Sequence, residues 1–290
     1  MSEIVKIENL SFRYMRGTVP ALRDINLSVR AGEFVGITGP AGAGKTTLLS
    51  CINGVIPHYY AGELQGRVVV DGLEIATRTL RELAGHIGFV FEDPDFQMVS
   101  ITVEEEIAFG PENLGIPAHE IELRIRDALQ KTGISNLRER AISTLSGGQK
   151  QLVAISAALG MLPKVLLLDD PTSELDPVGT QEVISALRAI NRELGITILM
   201  VSQNMEQLVE NADRILVLSE GRLILDGAPR EICMRSDVLE RVGIRAPQVT
   251  EFMISLLLRL NRTPQPDTIP ITVEEAAGMF QEILQKGIVI

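Results

Sequence analysis

Two kinds of hydrophobic pattern alternate along the first part of the chain. At Ile4–Tyr14 and Ile25–Val29 apolar and polar residues alternate, which predicts antiparallel strands with one buried face. Phe34–Thr38 is mostly apolar and leads through a glycine-rich turn into a helical pattern at Lys45–Ile52, as expected where a buried strand begins a parallel α/β unit. Further buried strands are predicted from four short apolar runs: Ile87–Phe91, Val165–Leu168, Thr197–Val201 and Ile215–Leu218.

A helical pattern interrupts these strands in the middle of the chain. Between Ile101 and Thr132 the acidic run Glu104–Glu106 leads into an amphipathic stretch that has no strand pattern. We expect a helical subdomain here, at about residues 101–160, inserted into the α/β core.

The pattern changes again after Gly227. Three helices are predicted beyond it: Arg230–Val242, Val249–Leu260 and Val273–Gln285. A proline-containing linker at Thr263–Pro270 joins the last two. We therefore divide the chain into a domain at 1–230 and a C-terminal helical domain at 231–290.

Composition narrows the classes of function. The 290 residues have a formal net charge of −11, and so acidic a chain does not offer the broad basic surface that binds nucleic acid. The longest apolar runs are far shorter than the roughly 20 residues that span a bilayer. Met1–Leu10 has no signal-peptide pattern, so a cytoplasmic location is expected. Cys51 and Cys233 lie far apart and outside any Cys or His cluster, which predicts two buried thiols.

A phosphate-binding loop follows the Phe34–Thr38 strand. Eight residues fit the motif G-x-x-x-x-G-K-[ST] in its strand-to-helix context: Gly39, Pro40, Ala41, Gly42, Ala43, Gly44, Lys45 and Thr46. Glycines let the backbone approach a phosphate closely, and the helix N-terminus adds a favourable dipole. Lys45 is expected to contact the β- and γ-phosphates, Thr46 to bind Mg²⁺, and Thr47 to join the nucleotide contacts. The motif occurs once, so one ATPase domain is expected.

A carboxylate is expected at the same edge of the sheet. Val165–Asp169 is an apolar strand that ends in Asp169, and ligands of parallel sheets bind beyond the C-terminal ends of the strands. A strand that ends in aspartate is common and usually structural. Beside a phosphate loop, however, Asp169 is predicted to hold Mg²⁺ through water.

The segment Leu145–Gln151 indicates a family. Its sequence, LSGGQKQ, resembles the LSGGQ signature of the ATP-binding cassette (ABC) ATPases and lies shortly before the Val165–Asp169 strand, as in that family. A serine and two glycines at the start of a helix form an anion-binding N-terminus. The resemblance implies that four residues meet the γ-phosphate held by a second subunit: Ser146, Gly147, Gly148 and Gln149.

The ABC resemblance extends over roughly residues 4–230. It implies an α/β P-loop fold with an antiparallel β subdomain and a helical signature subdomain, followed here by the C-terminal helical domain. It also implies that Tyr14 stacks on the adenine of ATP and that Ser173–Asp176 crosses the interface of an ATPase dimer.

Less specific marks resemble the ATPases of energy-coupling factor (ECF) transporters, which import vitamins, cobalt or nickel. They are Val90–Gln97, Thr102–Gly110, Pro111–Gly115 and Ile271–Glu275. This resemblance implies a transmembrane coupling protein and a separate membrane component that binds the solute. The chain itself would be a peripheral subunit on the cytoplasmic face of the membrane.

Three positions depart from the family pattern of an active ATPase. Asp170 stands where a glutamate normally polarises the attacking water, and a reach deficit of about 1 Å can cost on the order of 100-fold in rate. Gln203 replaces the switch histidine and cannot carry a proton. Glu92 replaces the Q-loop glutamine, so it can still bind Mg²⁺ but adds negative charge beside the phosphates.

Three changes around one site lead to the hypothesis of a heterodimer. This chain's own site would bind ATP and hydrolyse it slowly, while its intact signature would serve a partner ATPase; a homodimer remains open. Two alternatives also remain. One is a nucleotide-binding assembly subunit without useful hydrolysis. The other is a soluble ABC ATPase of DNA repair or translation, although the long coiled coils or tandem cassettes usual for that class are not visible in the sequence.

Overall fold

Two β-sheets form the framework of the structure, a computed structural model that describes residues 2–259 and 263–286. In spatial order, the smaller sheet consists of β2 (Leu22–Arg30), β1 (Glu3–Tyr14), β4 (Gly62–Val70) and β5 (Leu73–Glu74). The larger sheet consists of β10 (Arg222–Gly227), β9 (Arg214–Ser219), β3 (Phe34–Thr38), β8 (Thr197–Val201), β7 (Val165–Asp169) and β6 (Ile87–Val90).

The helices fall into three groups along the chain. Three belong to the first part of the core: α1 (Lys45–Ile52), α2 (Val55–His58) and α3 (Leu80–Leu83). The middle of the chain contributes α4 (Val103–Leu114), α5 (Ala118–Thr132), α6 (Gly147–Gly160), α7 (Pro177–Leu194) and α8 (Met205–Asn211). The last four are α9 (Pro229–Cys233), α10 (Ser236–Arg241), α11 (Gln248–Arg259) and α12 (Val273–Lys286).

The α/β fold class expected from the sequence is confirmed. All pairings in the smaller sheet are antiparallel, whereas β6, β7, β8, β3 and β9 run parallel and only β10 among the described strands of that sheet is antiparallel to its neighbour. Strands β3 and β8 have the predicted bounds, β6 and β7 differ from the prediction by one residue at one end, and β9 is longer by one residue at each end. A run that is buried on both faces is therefore recognisable without knowledge of its neighbours.

The register of the larger sheet determines where its ligands can bind. Val201 at the end of β8 pairs with Ile37 of β3 on one side and with Asp169 of β7 on the other. The C-terminal ends of three neighbouring strands are therefore level. The loop after β3 and the carboxylate at the end of β7 consequently face the same edge of the sheet.

Helices α4 and α5 follow β6, where the sequence predicts a helical subdomain. Helix α4 begins with a capping box, in which Thr102 accepts from the Glu105 amide and the Glu105 carboxylate accepts from the Thr102 amide. The guanidinium of Arg138 donates to Glu104 of α4 at 2.8 Å and to Glu122 of α5 at 2.6 and 2.7 Å. One arginine thus ties both helices to the segment that leads into α6.

The C-terminal region differs from the prediction of one helix over Arg230–Val242. Arg235 has non-helical dihedral angles (φ −93°, ψ 40°) and separates α9 from α10. Cys233 and Leu239 are both fully buried in the same core cluster. In a continuous helix these residues would point about 120° apart, so the break allows both to enter the core.

The last two described helices match their predicted positions closely. Helix α11 ends at Arg259, and the predicted final residue Leu260 lies outside the described residues. Arg230 anchors the segment before α12, since it donates to the Ile269 carbonyl at 2.7 Å and pairs with Glu275.

Within the described residues, no helix is both long and apolar enough to cross a bilayer. The two cysteines are buried as predicted, and burial raises the pKa of each thiol to about 12.

Candidate nucleotide-binding site

The loop between β3 and α1 is a tight turn that only glycine can form at two points. Gly39 has φ 154°, and a Cβ there would lie 2.2 Å from the Leu218 carbonyl oxygen. Gly44, directly before α1, has φ 102°, and a Cβ there would lie 2.5 Å from the Ala21 carbonyl oxygen. Because glycine also occupies the N-cap position, no side chain competes with a phosphate for the first N–H groups of α1.

Lys45 is positioned inside this loop. Its Nζ donates to the carbonyls of Gly39 at 2.7 Å and Pro40 at 3.0 Å, and the residue is only 9% exposed. Burial lowers the pKa of Lys45, while the nearby carboxylates of Asp170 and Asp169 act in the opposite direction. The loop therefore holds a preorganised cation whose carbonyl partners a phosphate group can replace.

Two of the three predicted magnesium ligands, Thr46 and Asp169, lie together. Thr46, in the first turn of α1, lies close enough to Asp169, at the end of β7, to lower the pKa of its carboxylate. Burial raises the pKa of Asp169, the charge of Glu92 raises it further, and the Thr46 side chain and the charge of Lys45 lower it. Within the described residues, no three acidic, His or Cys side chains form a cage that could hold a metal alone. A hydroxyl and one carboxylate suit Mg²⁺, which keeps several waters and binds substrate phosphates.

Three residues that depart from the family pattern lie close to Thr46 and Asp169. They are Glu92, Asp170 and Gln203. Gln203 Nε2 donates to Asp170 Oδ2 at 3.4 Å, and Asp170 is only 8% exposed. Burial raises the pKa of Asp170, and so do Glu92 and Asp169, while the bond from Gln203 and the charge of Lys45 lower it. The Ser173 hydroxyl lies 3.0 Å from the Asp170 carbonyl oxygen and 3.3 Å from Glu92 Oε1. The structure thus gathers all three substitutions at one carboxylate cluster.

Tyr14 also lies next to the loop. Its hydroxyl is 3.1 Å from Thr47 Oγ1, in the first turn of α1, and its ring stands edge-on to Phe12 with centroids 4.8 Å apart. Two residues predicted separately to contact the nucleotide are therefore in contact with each other.

The signature residues occupy the start of α6, a different part of the molecule. Ser146 Oγ accepts from the Gln149 amide at 3.3 Å, and Gln149 Oε1 accepts from the Ser146 amide at 3.1 Å, which forms a reciprocal capping box. A Cβ on Gly148 would lie 2.9 Å from the Gly179 Cα, so the two glycines let the starts of α6 and α7 meet. Ser146 and Gly147 are exposed.

The structure does not join the signature to the phosphate loop. Among the described residues, no hydrogen bond or ion pair links Ser146–Gln149 to Gly39–Thr46. Asp176, in the segment expected at a dimer interface, caps α7 by accepting from the Gly179 amide at 2.7 Å. The start of α6 and this cap form one surface, separate from the chain's own phosphate loop.

Sequence reasoning missed two residues that follow the signature. Lys150 Nζ pairs with both oxygens of Asp95, at 2.6 and 2.8 Å, and Gln151 Nε2 donates to the Phe91 carbonyl at 3.2 Å. They connect α6 to the segment after β6. No local pattern could have found these pairs, since the partners are 55 and 60 residues apart.

That segment begins an exposed group of large apolar side chains, which we term the apolar patch. It consists of Phe91, Phe96, Val99, Ile101 and Phe109. Phe96 is 86% exposed and Ile101 76% exposed. Val99, Ile101 and Phe109 line one surface cavity, and exposed apolar side chains grouped in this way are typical of interaction sites.

Comparison with known proteins gives a consistent result. Residues 22–173 match the ABC transporter family. An ABC transporter ATP-binding protein of Pyrococcus abyssi is 47% identical over 244 residues, which cover 84% of this chain and 87% of that protein. The energy-coupling factor transporter ATP-binding protein EcfA1 of Caldanaerobacter subterraneus subsp. tengcongensis is 40% identical and is covered to 98%, against 95% of this chain.

A search of solved structures also finds a component of an ABC transporter among the proteins similar to this chain. The structure of cbiO1 from Clostridium perfringens, part of the ABC transporter complex cbiONQ, has a TM-score of 0.74 and 37% sequence identity to this chain. The match covers 87% of this chain and 99% of cbiO1. Some other relatives are longer, and the chain spans 40% to 48% of their length.

Proposed function

The chain belongs to the ABC transporter family of ATP-binding proteins, and we propose that it is the ATP-holding member of an ATPase pair in an energy-coupling factor importer. In this proposal its own site binds ATP and hydrolyses it slowly. Its signature completes the site of a second ATPase. The observation that carries the proposal is the contrast between the altered carboxylate cluster at Asp170 and the intact capping box at Ser146.

Binding of ATP is supported by the loop itself. Lys45 and the first N–H groups of α1 would bind the phosphates, Tyr14 would stack on the adenine, and Thr46 with Asp169 would hold Mg²⁺. Bound Mg²⁺ would neutralise charge on the β- and γ-phosphates. These residues are already in place around the loop, so little reorganisation would accompany binding.

Slow hydrolysis is supported by the surroundings of Asp170. A catalytic carboxylate must reach the attacking water, and the side chain of Asp170 is one methylene shorter than glutamate and already bonded to Gln203. Gln203 is uncharged and cannot stabilise the γ-phosphate as an imidazolium would. Glu92 adds a negative charge where negative charge develops in the transition state. All three effects lower the rate without removing the phosphate contacts.

The proposal that this chain's signature completes the ATP site of a partner ATPase is supported by the start of α6. Ser146 and Gly147 are exposed, and their helix N-terminus offers backbone N–H groups to an anion. ATP held between this surface and a partner's phosphate loop would close the dimer, and hydrolysis with product release would reopen it. Two copies of this chain would make two slow sites, which is why we favour a heterodimer over a homodimer.

The apolar patch supports a membrane partner. It lies beside the Lys150–Asp95 pair, so closure at the start of α6 would move it. We infer that it docks a transmembrane coupling protein on the cytoplasmic face of the membrane, while a separate membrane component binds the solute, a vitamin or metal ion. The exposed phenylalanines also favour this proposal over a soluble ABC ATPase of repair or translation.

The test is to measure ATP binding and turnover by the isolated chain, and then by the chain mixed with the second ATPase of the same importer. We expect binding of Mg-ATP, slow turnover alone, and fast turnover in the mixture. Turnover near the ordinary enzyme value of about 10 s⁻¹ by the isolated chain would contradict the proposal. Slow turnover in both samples would instead favour an assembly subunit without useful hydrolysis. The Asp170–Gln203 hydrogen bond is also consistent with that alternative.

A further inference from the structure

The only three tyrosines of the sequence lie together beside the phosphate loop, and the chain contains no tryptophan. The ring of Tyr60 stands 6.3 Å from that of Tyr14, centroid to centroid, at an interplanar angle of 75°. Tyr59 stands 5.3 Å from Tyr60 at 85°. Tyr60 is 47% exposed and Tyr59 76% exposed.

Strand pairing holds Tyr60 at this place. Tyr14, at the end of β1, pairs with Gly62 of β4, and the Met15 amide donates to the Ala61 carbonyl at 3.3 Å. A Cβ on Gly62 would lie 2.5 Å from the ring of Phe12, so the two backbones approach closely only because this residue is glycine. The position of Tyr60 relative to Tyr14 is therefore set by the sheet.

The position of Tyr14 relative to the phosphates is also set. Its hydroxyl lies 3.1 Å from Thr47 Oγ1 in the first turn of α1, so its ring borders the phosphate-binding end of that helix. A base attached to phosphates in the loop would reach the face of Tyr14. A second aromatic ring, that of Tyr60, stands next to Tyr14 and is nearly perpendicular to it.

We propose that Tyr60 is a further base-binding residue, which contacts an aromatic base stacked on Tyr14. The inference rests on the proposed function, since it takes the phosphate loop to bind a nucleoside triphosphate. Two rings at a steep angle can contact one base together: one ring stacks on the face of the base, and the other contacts its edge. Contacts of this kind recognise an aromatic plane and tolerate its identity, so adenine and guanine are both accepted.

The first experiment compares ATP with inorganic tripolyphosphate, which has the phosphates but no base, by calorimetry in the presence of Mg²⁺. The variant Tyr60→Ala is expected to weaken ATP binding about tenfold and to leave tripolyphosphate binding unchanged, because one base contact is lost. Tyr60→Phe keeps the ring and is expected to bind ATP like the wild type. Tyr59→Ala is the matched control, since its ring contacts Tyr60 and not Tyr14, and is expected to stay within twofold.

Equal weakening of both ligands by Tyr60→Ala would overturn the inference, as would an ATP affinity within twofold of the wild type. The outcome that contradicts the proposed function is different: the wild-type chain would then bind neither ligand, or Lys45→Ala would leave both affinities unchanged.

A second measurement uses tyrosine fluorescence, which in this chain comes only from the three clustered residues. ATP is expected to change the emission of the wild type more than that of Tyr60→Phe, and tripolyphosphate to change neither; identical changes in both proteins would contradict the assignment.

Discussion

The loop around Lys45 and the start of α6 at Ser146 both present the N–H groups of a helix N-terminus, which favour an anion, but they differ in their surroundings. Lys45 is almost fully buried, bonded to the loop's own carbonyls and close to carboxylates of its own chain. Ser146 is exposed, its hydroxyl and the side chain of Gln149 cap the helix, and no carboxylate of the described residues bonds to either. One site is enclosed and electrostatically crowded, and the other is open.

This difference is the basis of the proposed division between ATP binding and catalysis. In the proposed function the enclosed site holds the nucleotide, and its carboxylates oppose the negative charge that would develop during hydrolysis. The open surface has no chemistry of its own but provides N–H groups to a phosphate from outside. In the proposed heterodimer, a chain with both features holds ATP in its own site and completes the site of an unlike partner.

The largest effect is expected from Ser146→Arg. The substitution removes the cap of α6 and places a long cation where a partner's γ-phosphate would lie, so ATPase activity of the mixed complex should fall by about 100-fold or more. ATP affinity of the isolated chain, measured by calorimetry, should not change, because its own loop is untouched.

The matched control for that variant is Ser135→Arg, an exposed serine in the same helical insertion. It should leave both measurements as they are in the wild type. Wild-type activity of the complex after Ser146→Arg would show that the two regions do not divide binding and catalysis as proposed.

A smaller effect, of opposite sign, is expected from Asp170→Glu combined with Gln203→His. The pair restores the reach of the carboxylate and a side chain that can carry a proton, so single-turnover hydrolysis by the isolated chain should rise by up to about 100-fold. Asp170 has φ 48°, where a glutamate is strained, so the variant should also be less stable by about 1 kcal/mol. An unchanged rate in a folded double variant would mean that the slow step lies elsewhere, for instance at Glu92.

Much of this comparison could be predicted from sequence, for physical reasons. Strands β3 and β8 are buried on both faces, so their apolar runs identify them directly, and the loop motif requires the strand and helix that flank it. The ABC fold and the grouping of Asp170 with Gln203 followed from resemblance. In contrast, the break at Arg235, the Lys150–Asp95 pair and the placement of Tyr60 depend on contacts between distant segments, which no local pattern encodes.

The smallest effect concerns stability, and it isolates the electrostatic part of the comparison. Burial and the charges of Glu92 and Asp169 raise the pKa of Asp170, so its ionised form is less favourable in the folded chain than in the unfolded one. Above the raised pKa this penalty is fully present, and it disappears as pH falls toward the ordinary value of 3.8. Removing the charge should therefore stabilise the metal-free, nucleotide-free chain at neutral pH.

Asp170→Asn makes that change without altering shape, and asparagine tolerates the left-handed backbone at this position. We expect a gain of about 1 kcal/mol, or about 2–4 °C in Tm by calorimetry at pH 7, which shrinks as the pH is lowered toward 4. Asp127→Asn, which removes an exposed carboxylate, should change Tm by less than about 1 °C. If Asp170→Asn lowered Tm at pH 7, the carboxylate would be stabilising the fold, and electrostatic crowding at this site would not explain the slow hydrolysis that we propose for it.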